Sequence, residues 1–287
     1  MLTLDEKKIR KGKPVGLPYV GGKKKISKKI VEIIKQNFGT DKTIYDVFGG
    51  GGAITAELMI NGIDVVYNDL DKTITGMFNR VLSQNREWIK TLIISRDEFI
   101  SIREKEHKTV DDELKLLVNS FGNNRKDYLY GKGIADNKYK LAKEIVDHHN
   151  VFSGYKQTDT YKKNIQSYSQ LQQLQQLEQL QQLQQLQQFP KTTNEDYKYF
   201  SNVRDSILYL DPPYENSDTS KYNSSIDYQE FYDWVYKMAK NNIVLLSSYE
   251  VSDDKFECVY EFTNARSTLS GGMAGKRTEK LFMVKGK

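Results

Sequence analysis

Between Thr43 and Asp69 the sequence changes rhythm three times within a short stretch. Thr43-Ile44-Tyr45-Asp46-Val47-Phe48 has the β-branched and aromatic content of a strand, Gly49 to Gly52 reads as a tight loop, Ala53 to Asn61 as a helix, and Ile63 to Asn68 as a second strand that ends at Asp69. Strand, helix and strand in that order make a βαβ unit. Such a unit commits the chain to an α/β fold with a parallel sheet.

Strand-like runs return late, at Ser206 to Leu210, Ile243 to Ser247, Phe256 to Phe262 and Leu281 to Val284, with helical spacing over Tyr228 to Lys240. The sheet is therefore built from both ends of the chain. Ahead of it, apolar residues at Ile26, Ile30, Ile33, Ile34 and Phe38 predict an amphipathic helix. The middle lacks βαβ rhythm and predicts a mostly helical insertion, so the expected partition is a catalytic domain over 1–83 and 192–287 with an insertion over 84–191. Within the insertion, leucine recurs every third residue from Leu171 to Leu186 in a low-complexity run that reaches Phe189. An α-helix turns about 100° per residue, so this period makes the leucines drift around the axis. A 3₁₀ helix that long is rarely stable, and the period is wrong for a heptad coiled coil. Residues 171–189 read as a spacer, helical or extended, without chemistry.

Composition narrows the function classes. The chain has 287 residues, of which 38% are hydrophobic, and its longest apolar runs (Ile243 to Leu246, Leu114 to Val118) are too short to span a bilayer. No membrane segment is expected, and Met1 to Lys13 lacks the apolar core of a signal peptide, which points to the cytoplasm. Cys258 has no partner for an internal disulfide, and His107, His148 and His149 lack ligand spacing, so no metal is expected. Lys7, Lys8, Arg10, Lys11, Lys13, Lys23, Lys24, Lys25, Lys28 and Lys29 face only Asp5 and Glu6 in the first thirty residues. That imbalance is either a solvated face or a surface suited to a polyanion.

Two constellations carry chemistry. In Asp46-Val47-Phe48-Gly49-Gly50-Gly51-Gly52-Ala53, glycines between a strand and a helix let backbone approach a ligand, and the helix N-terminus offers unpaired N–H groups. Asp69 closes the next strand, where an acid accepts hydrogen bonds from ribose hydroxyls in nucleotide-binding βαβ units. The glycines are not spaced as in a dinucleotide fingerprint, which favours a smaller nucleoside ligand. In Asp211-Pro212-Pro213-Tyr214, directly after a strand, two prolines stiffen a loop that carries a carboxylate, a carbonyl and an aromatic ring. An exocyclic amine can donate one hydrogen to Asp211 and the other to the Pro212 carbonyl while Tyr214 stacks on a purine, which frees the nitrogen lone pair to attack a methyl sulfonium.

These residues resemble the Dam-like (D12 class, alpha group) DNA adenine N6-methyltransferases. The matches stand in the family's order: Pro18-Tyr19-Val20-Gly21-Gly22-Lys23, then Asp46 to Ala53 with Asn68-Asp69, then Asp211-Pro212-Pro213-Tyr214. They cover roughly residues 14 to 83 and 192 to 285. The resemblance implies a Rossmann-like S-adenosylmethionine-dependent methyltransferase sheet with a target-recognition insertion, and a site-specific enzyme that methylates adenine in double-stranded DNA. It implies that Tyr19 and Lys23 contact the methionine part of S-adenosyl-L-methionine, that Asp46, Phe48, Gly49 and Gly51 line it, and that Asp69 binds the ribose. Asp196 and Tyr197 resemble the pair beside the cofactor's adenine, and Asp211, Pro212 and Tyr214 are the catalytic positions. Four glycines after Asp46 depart from the family's commoner acidic-proline-phenylalanine-x-glycine arrangement, and Ser120 to Arg125 matches its recognition motif only loosely.

A stacked adenine must be flipped out of the duplex at a cost of a few kcal/mol, which phosphate contacts must offset. Candidates are Arg125 and Lys126 in the insertion and Arg266, Lys276 and Arg277 later, with the small, glycine-rich Ser267 to Gly275 as a closing loop. The competing classes are an RNA adenine methyltransferase and a catalytically silent DNA-binding protein. Cytosine C5 methylation is excluded, because Cys258 has no adjacent proline. A monomer or weak dimer is expected, and a cognate restriction endonuclease is among the partners that such an enzyme can have.

Overall fold

The computed structural model describes residues 1–19, 21–164, 170–215, 226–266 and 278–286, with the side chains of 263–266 aside. The chain divides into two compact units, the first made of Met1–Pro14, Lys23–Thr75 and Pro190–Lys287 and the second of Val15–Gly22 and Gly76–Phe189. The strands are β1 (Ile44–Asp46), β2 (Val65–Asn68), β3 (Lys191–Thr193), β4 (Ile207–Leu210), β5 (Ile243–Ser248), β6 (Phe256–Arg266) and β7 (Thr278–Val284). The α-helices are α1 (Ser27–Phe38), α2 (Ala53–Ile60), α3 (Lys72–Leu82), α4 (Arg86–Lys90), α5 (Arg96–Arg103), α6 (Val110–Val118), α7 (Lys132–His149), α8 (Asp159–Asn164), α9 (Gln172–Gln184) and α10 (Tyr228–Met238).

All seven strands belong to the first unit and form one sheet in the order β3-β2-β1-β4-β5-β7-β6. The first five in that order are parallel, and β7 runs antiparallel between β5 and β6. This is the α/β sheet with a parallel core that the βαβ rhythm predicts, and its order agrees with the Rossmann-like sheet implied by the resemblance. The apolar runs become strands because they are buried on both faces: every residue of β2 and of β4 is buried. Aromatic and aliphatic residues of α10, chiefly Phe231, Trp234 and Val235, cover Leu208, Leu210, Val244 and Leu246 of β4 and β5. Each such side chain contributes roughly 1.5–3 kcal/mol on burial. The edge strand β3 was not foreseen, because Lys191-Thr192-Thr193 is short and polar. It is recruited by pairing with β2, and the Thr193 hydroxyl donates to Asn68 Oδ1 at 2.8 Å.

In the second unit the leucine repeat is an α-helix with a core role, which corrects its reading as a spacer. Leu171, Leu174, Leu177, Leu180 and Leu183 are all fully buried. Leucines three residues apart step back by about 60°, so five of them sweep about 240° of the helix surface. Such a helix can bury them all only if its neighbours wrap it, and α4 and α6 both pack against α9. Gln173 is buried among them and donates to Asn119 Oδ1 at 2.5 Å and to the Ile94 carbonyl at 3.2 Å. A second cluster centres on Ile94, Phe99, Ile102 and Leu116 with Tyr128 and Tyr130. No helix among the described residues is long and apolar enough to cross a membrane.

Candidate active site

Strand order creates the site. The chain leaves β1 towards β2 and β3, then returns to β4 on the other side of β1, so the loops after β1 and β4 diverge at the carboxyl ends of neighbouring strands. Asp46 ends β1 opposite Tyr209, and Asp211 follows β4 directly. A proline pair fits here because the strand has already ended.

The glycine loop after β1 is held by the end of β2. Gly49 donates to the Asn68 carbonyl at 2.8 Å, the Tyr67 hydroxyl donates to the Gly50 carbonyl at 2.6 Å, and Gly50 N–H donates to Asp69 Oδ2 at 2.8 Å. A Cβ at position 49 would lie 2.4 Å from the Tyr67 ring, so only glycine fits. Gly52, at φ 68°, then turns the chain into α2. The Asp69 carboxyl, whose Oδ1 accepts from Asp71 N–H at 2.9 Å, is shifted upward by burial. Asp46 Oδ2 accepts from the Thr55 amide and hydroxyl at 3.1 and 2.7 Å, while its Oδ1 is buried without a partner among the described residues. Burial, reinforced by the nearby Asp211 and Asp69 carboxylates, pushes Asp46 up to about 7.

Beyond β4, Asp211 meets a cation that arrives from far away in sequence. Lys23 Nζ lies 2.7 Å from Asp211 Oδ1 and donates to the Tyr214 hydroxyl at 2.6 Å. Tyr214 in turn donates to Glu279 Oε1 at 2.5 Å and lies 3.4 Å from Asp211 Oδ1. Its ring meets Tyr249 edge-on with centroids 4.5 Å apart. The loop is pinned by the Tyr228 hydroxyl, which donates to the Pro213 carbonyl. Desolvation, with Glu279 adding to it and Lys23 opposing it, raises Asp211 to about 6. Desolvation lowers Lys23, but the Asp211 and Glu279 carboxylates outweigh it and hold the ammonium above its usual range. Burial, aided by the same two carboxylates, drives the Tyr214 phenol far above its ordinary value.

The first unit thus brings together Lys23, Asp46, Gly49, Asp69, Asp211 and Tyr214. Phe48 faces the core of that unit, in ring contact with Tyr197 and Phe231. Tyr197 is 7% exposed and wedged between Phe231 and Trp234, whereas Asp196 is exposed and caps the short helical turn 197–202 by accepting from Lys198 N–H. Gly51 is buried in the glycine loop, and Pro212 is buried directly after β4. Tyr19, Arg125 and Lys126 lie in the second unit. Arg125 is already ion-paired with Glu113 at 2.9 Å, and Lys126 is exposed. Arg266 ends β6, while Lys276, Arg277 and the loop Ser267 to Gly275 lie outside the described residues. Glu279 was missed by the sequence reading. Its signal was one acid two residues before the apolar run Leu281 to Val284, in register to point the same way as Leu281.

Both contacts of the Asp211 carboxylate fall on Oδ1, and the proline-tyrosine loop that follows it walls a small aromatic pocket with Phe231 and Leu246. No group of histidine, cysteine or acidic side chains among the described residues could hold a metal ion. Compared with known families, the model of the D12 class N6 adenine-specific DNA methyltransferases matches residues 19–266. No curated protein matches the chain.

Proposed function

Starting from a chain that belongs to the D12 class of N6 adenine-specific DNA methyltransferases, we propose that this protein methylates the exocyclic amine of an adenine flipped out of duplex DNA, at a specific site, with S-adenosylmethionine as donor. The family is a Rossmann-like one that generally uses this cofactor, and DNA is its substrate. The observation that carries the reading is the convergence of Asp211, Tyr214 and Lys23 where the loops after β1 and β4 diverge.

The residues present fit the cofactor. The glycine loop gives backbone access that a Cβ at position 49 would close, and the buried, unpartnered Asp46 Oδ1 is an acceptor awaiting a donor. Lys23 is a near-buried cation for the methionine carboxylate, and Asp69 is held at the end of β2 for the ribose hydroxyls. When bound, S-adenosylmethionine supplies an electrophilic methyl group on a sulfonium. Asp211 accepts one hydrogen of the target amine and the Pro212 carbonyl the other, and Tyr214 stacks on the base. Both contacts already made by Asp211 fall on Oδ1, which leaves Oδ2 to receive the amine. The proton that the target amine would lose on accepting the methyl group passes through Asp211, which sits near 6 and can take it up transiently. Phosphate contacts fall to Arg125, Lys126, Arg266, Lys276 and Arg277, with Arg125 exchanging Glu113 for phosphate.

The test is methyl transfer from labelled S-adenosylmethionine to unmethylated DNA and, in parallel, to RNA, with nucleoside analysis. N6-methyladenine at one short DNA motif is the expected product. Asp211→Ala should lose at least ~100-fold in kcat with cofactor binding largely kept. Lys23→Ala should weaken cofactor binding by roughly ten- to a hundredfold, as expected for a charge-assisted contact. Label in RNA alone would overturn the reading.

A further inference from the structure

The centre holds one ammonium and two carboxylates, so it carries one negative charge too many. Lys23 Nζ is 2.7 Å from Asp211 and 3.6 Å from Glu279, and the Tyr214 hydroxyl stands between the two acids, 2.5 Å from Glu279 and 3.4 Å from Asp211. Glu279 is 6% exposed and is fixed from behind by the Ser247 hydroxyl, which donates to Oε1 at 2.9 Å. It enters on β7, outside the motifs that mark the rest of the site.

An amine arriving at Asp211 Oδ2 draws the carboxylate's charge away from Oδ1 and so loosens its hold on Lys23 and Tyr214. Until the cofactor carboxylate is seated, any retreat of Lys23 from Asp211 without a second acceptor in the protein would strand an unpaired ammonium in a nearly closed site, which is strongly disfavoured. We propose that Glu279 is a positioning residue for methyl transfer, the alternative counter-ion that takes Lys23 and keeps the Tyr214 hydroxyl when Asp211 turns to the target amine. The assignment rests on Asp211 being the amine acceptor. Lys23 then exchanges partners over about one ångström and stays buried, and Tyr214 keeps its ring fixed because its hydroxyl already belongs to Glu279. Across the sheet, the titratable and charged groups that face Asp211 are Lys23, Tyr214, Glu279, Tyr209 and Asp46. Glu279 is the only one of these carboxylates bonded to Tyr214 apart from Asp211 itself among the described residues.

The experiment compares wild type, Glu279→Gln and Glu279→Asp by two readouts. The first is the titration of Asp211 in cofactor-free protein, followed by carboxyl NMR. The second is kcat and KM across pH. Glu279→Gln should move the Asp211 midpoint down, because the neighbouring negative charge is removed and Lys23 is no longer shared with a second acid, and should lower kcat by about tenfold or more with KM for DNA little changed, as expected for a misplaced reacting group. The acidic limb of kcat should move down with the midpoint, and Glu279→Asp should restore part of both. An Asp211 midpoint that stays put or rises in Glu279→Gln overturns the proposal, whatever the activity. If wild type transfers no methyl group to DNA, the functional reading fails and the positioning role with it, while the titration separately shows whether Glu279 shares Lys23 with Asp211.

Discussion

Gly49 and Asp46 place opposite demands on one loop, the first for space and the second for charge. A methyl group at position 49 meets the Tyr67 ring at 2.4 Å and the Asn68 carbonyl at 3.2 Å, so Gly49→Ala must push β2 away from the loop. A loss of roughly 1–3 kcal/mol, typical of overpacking, is expected in chemical denaturation. Asp46 has a folded-state value raised from 3.8 to about 7, so the folded state resists ionising it. Below 3.8 both states are protonated and nothing is lost. As pH rises from there to about 7 the unfolded chain releases its proton first, and stability falls by at most about 1.4 kcal/mol per unit before levelling off. Asp46→Asn removes this dependence, so its stability relative to wild type should climb between pH 4 and 7 and then plateau. A difference that is flat with pH would show that Asp46 is ionised in the fold at no cost. The glycines and both key aspartates were legible because their chemistry lies in consecutive letters. Glu279 and the orphaned Asp46 oxygen were not, because both depend on which strands become neighbours.

At the scale of elements, α9 shows how a repeat can mislead. Its period of three gives no single apolar stripe, the pattern by which an amphipathic helix such as α1 is read. Burial of all five leucines follows from being surrounded, which is a property of α4 and α6 as much as of α9. Leu177→Ala should cost about 2–5 kcal/mol, whereas Gln175→Ala, on the exposed side, should stay within about 0.5 kcal/mol. The repeat also makes an unusual demand on register. One extra Leu-Gln-Gln triplet after Gln176 maps leucines onto leucines and lengthens only the path from Gln185 to β3, but one extra glutamine rotates every later leucine by about 100°. Thermal unfolding should show the single insertion to be the more damaging of the two. β3 is the opposite lesson, because three polar residues became a strand solely through their partner β2.

Across the whole molecule, the first unit draws on three separate stretches of chain, and its sheet places β7 between β5 and β6. The strands flanking the site were readable from apolar runs and their terminal motifs, but their order was not, since order is set by pairings between residues far apart in sequence. Because β6 pairs with β7 alone among the described strands, a chain truncated before Thr278 leaves β6 unpartnered and should lose cooperative unfolding by circular dichroism. β7 also delivers Glu279 to a site whose other members lie at positions 23, 211 and 214. During synthesis, Lys23 and Asp211 emerge from the ribosome well before Glu279 follows. A nascent chain can therefore lay down most of the sheet and still have an open charge centre, which closes only once the strand carrying the last carboxylate has been translated and threaded into place.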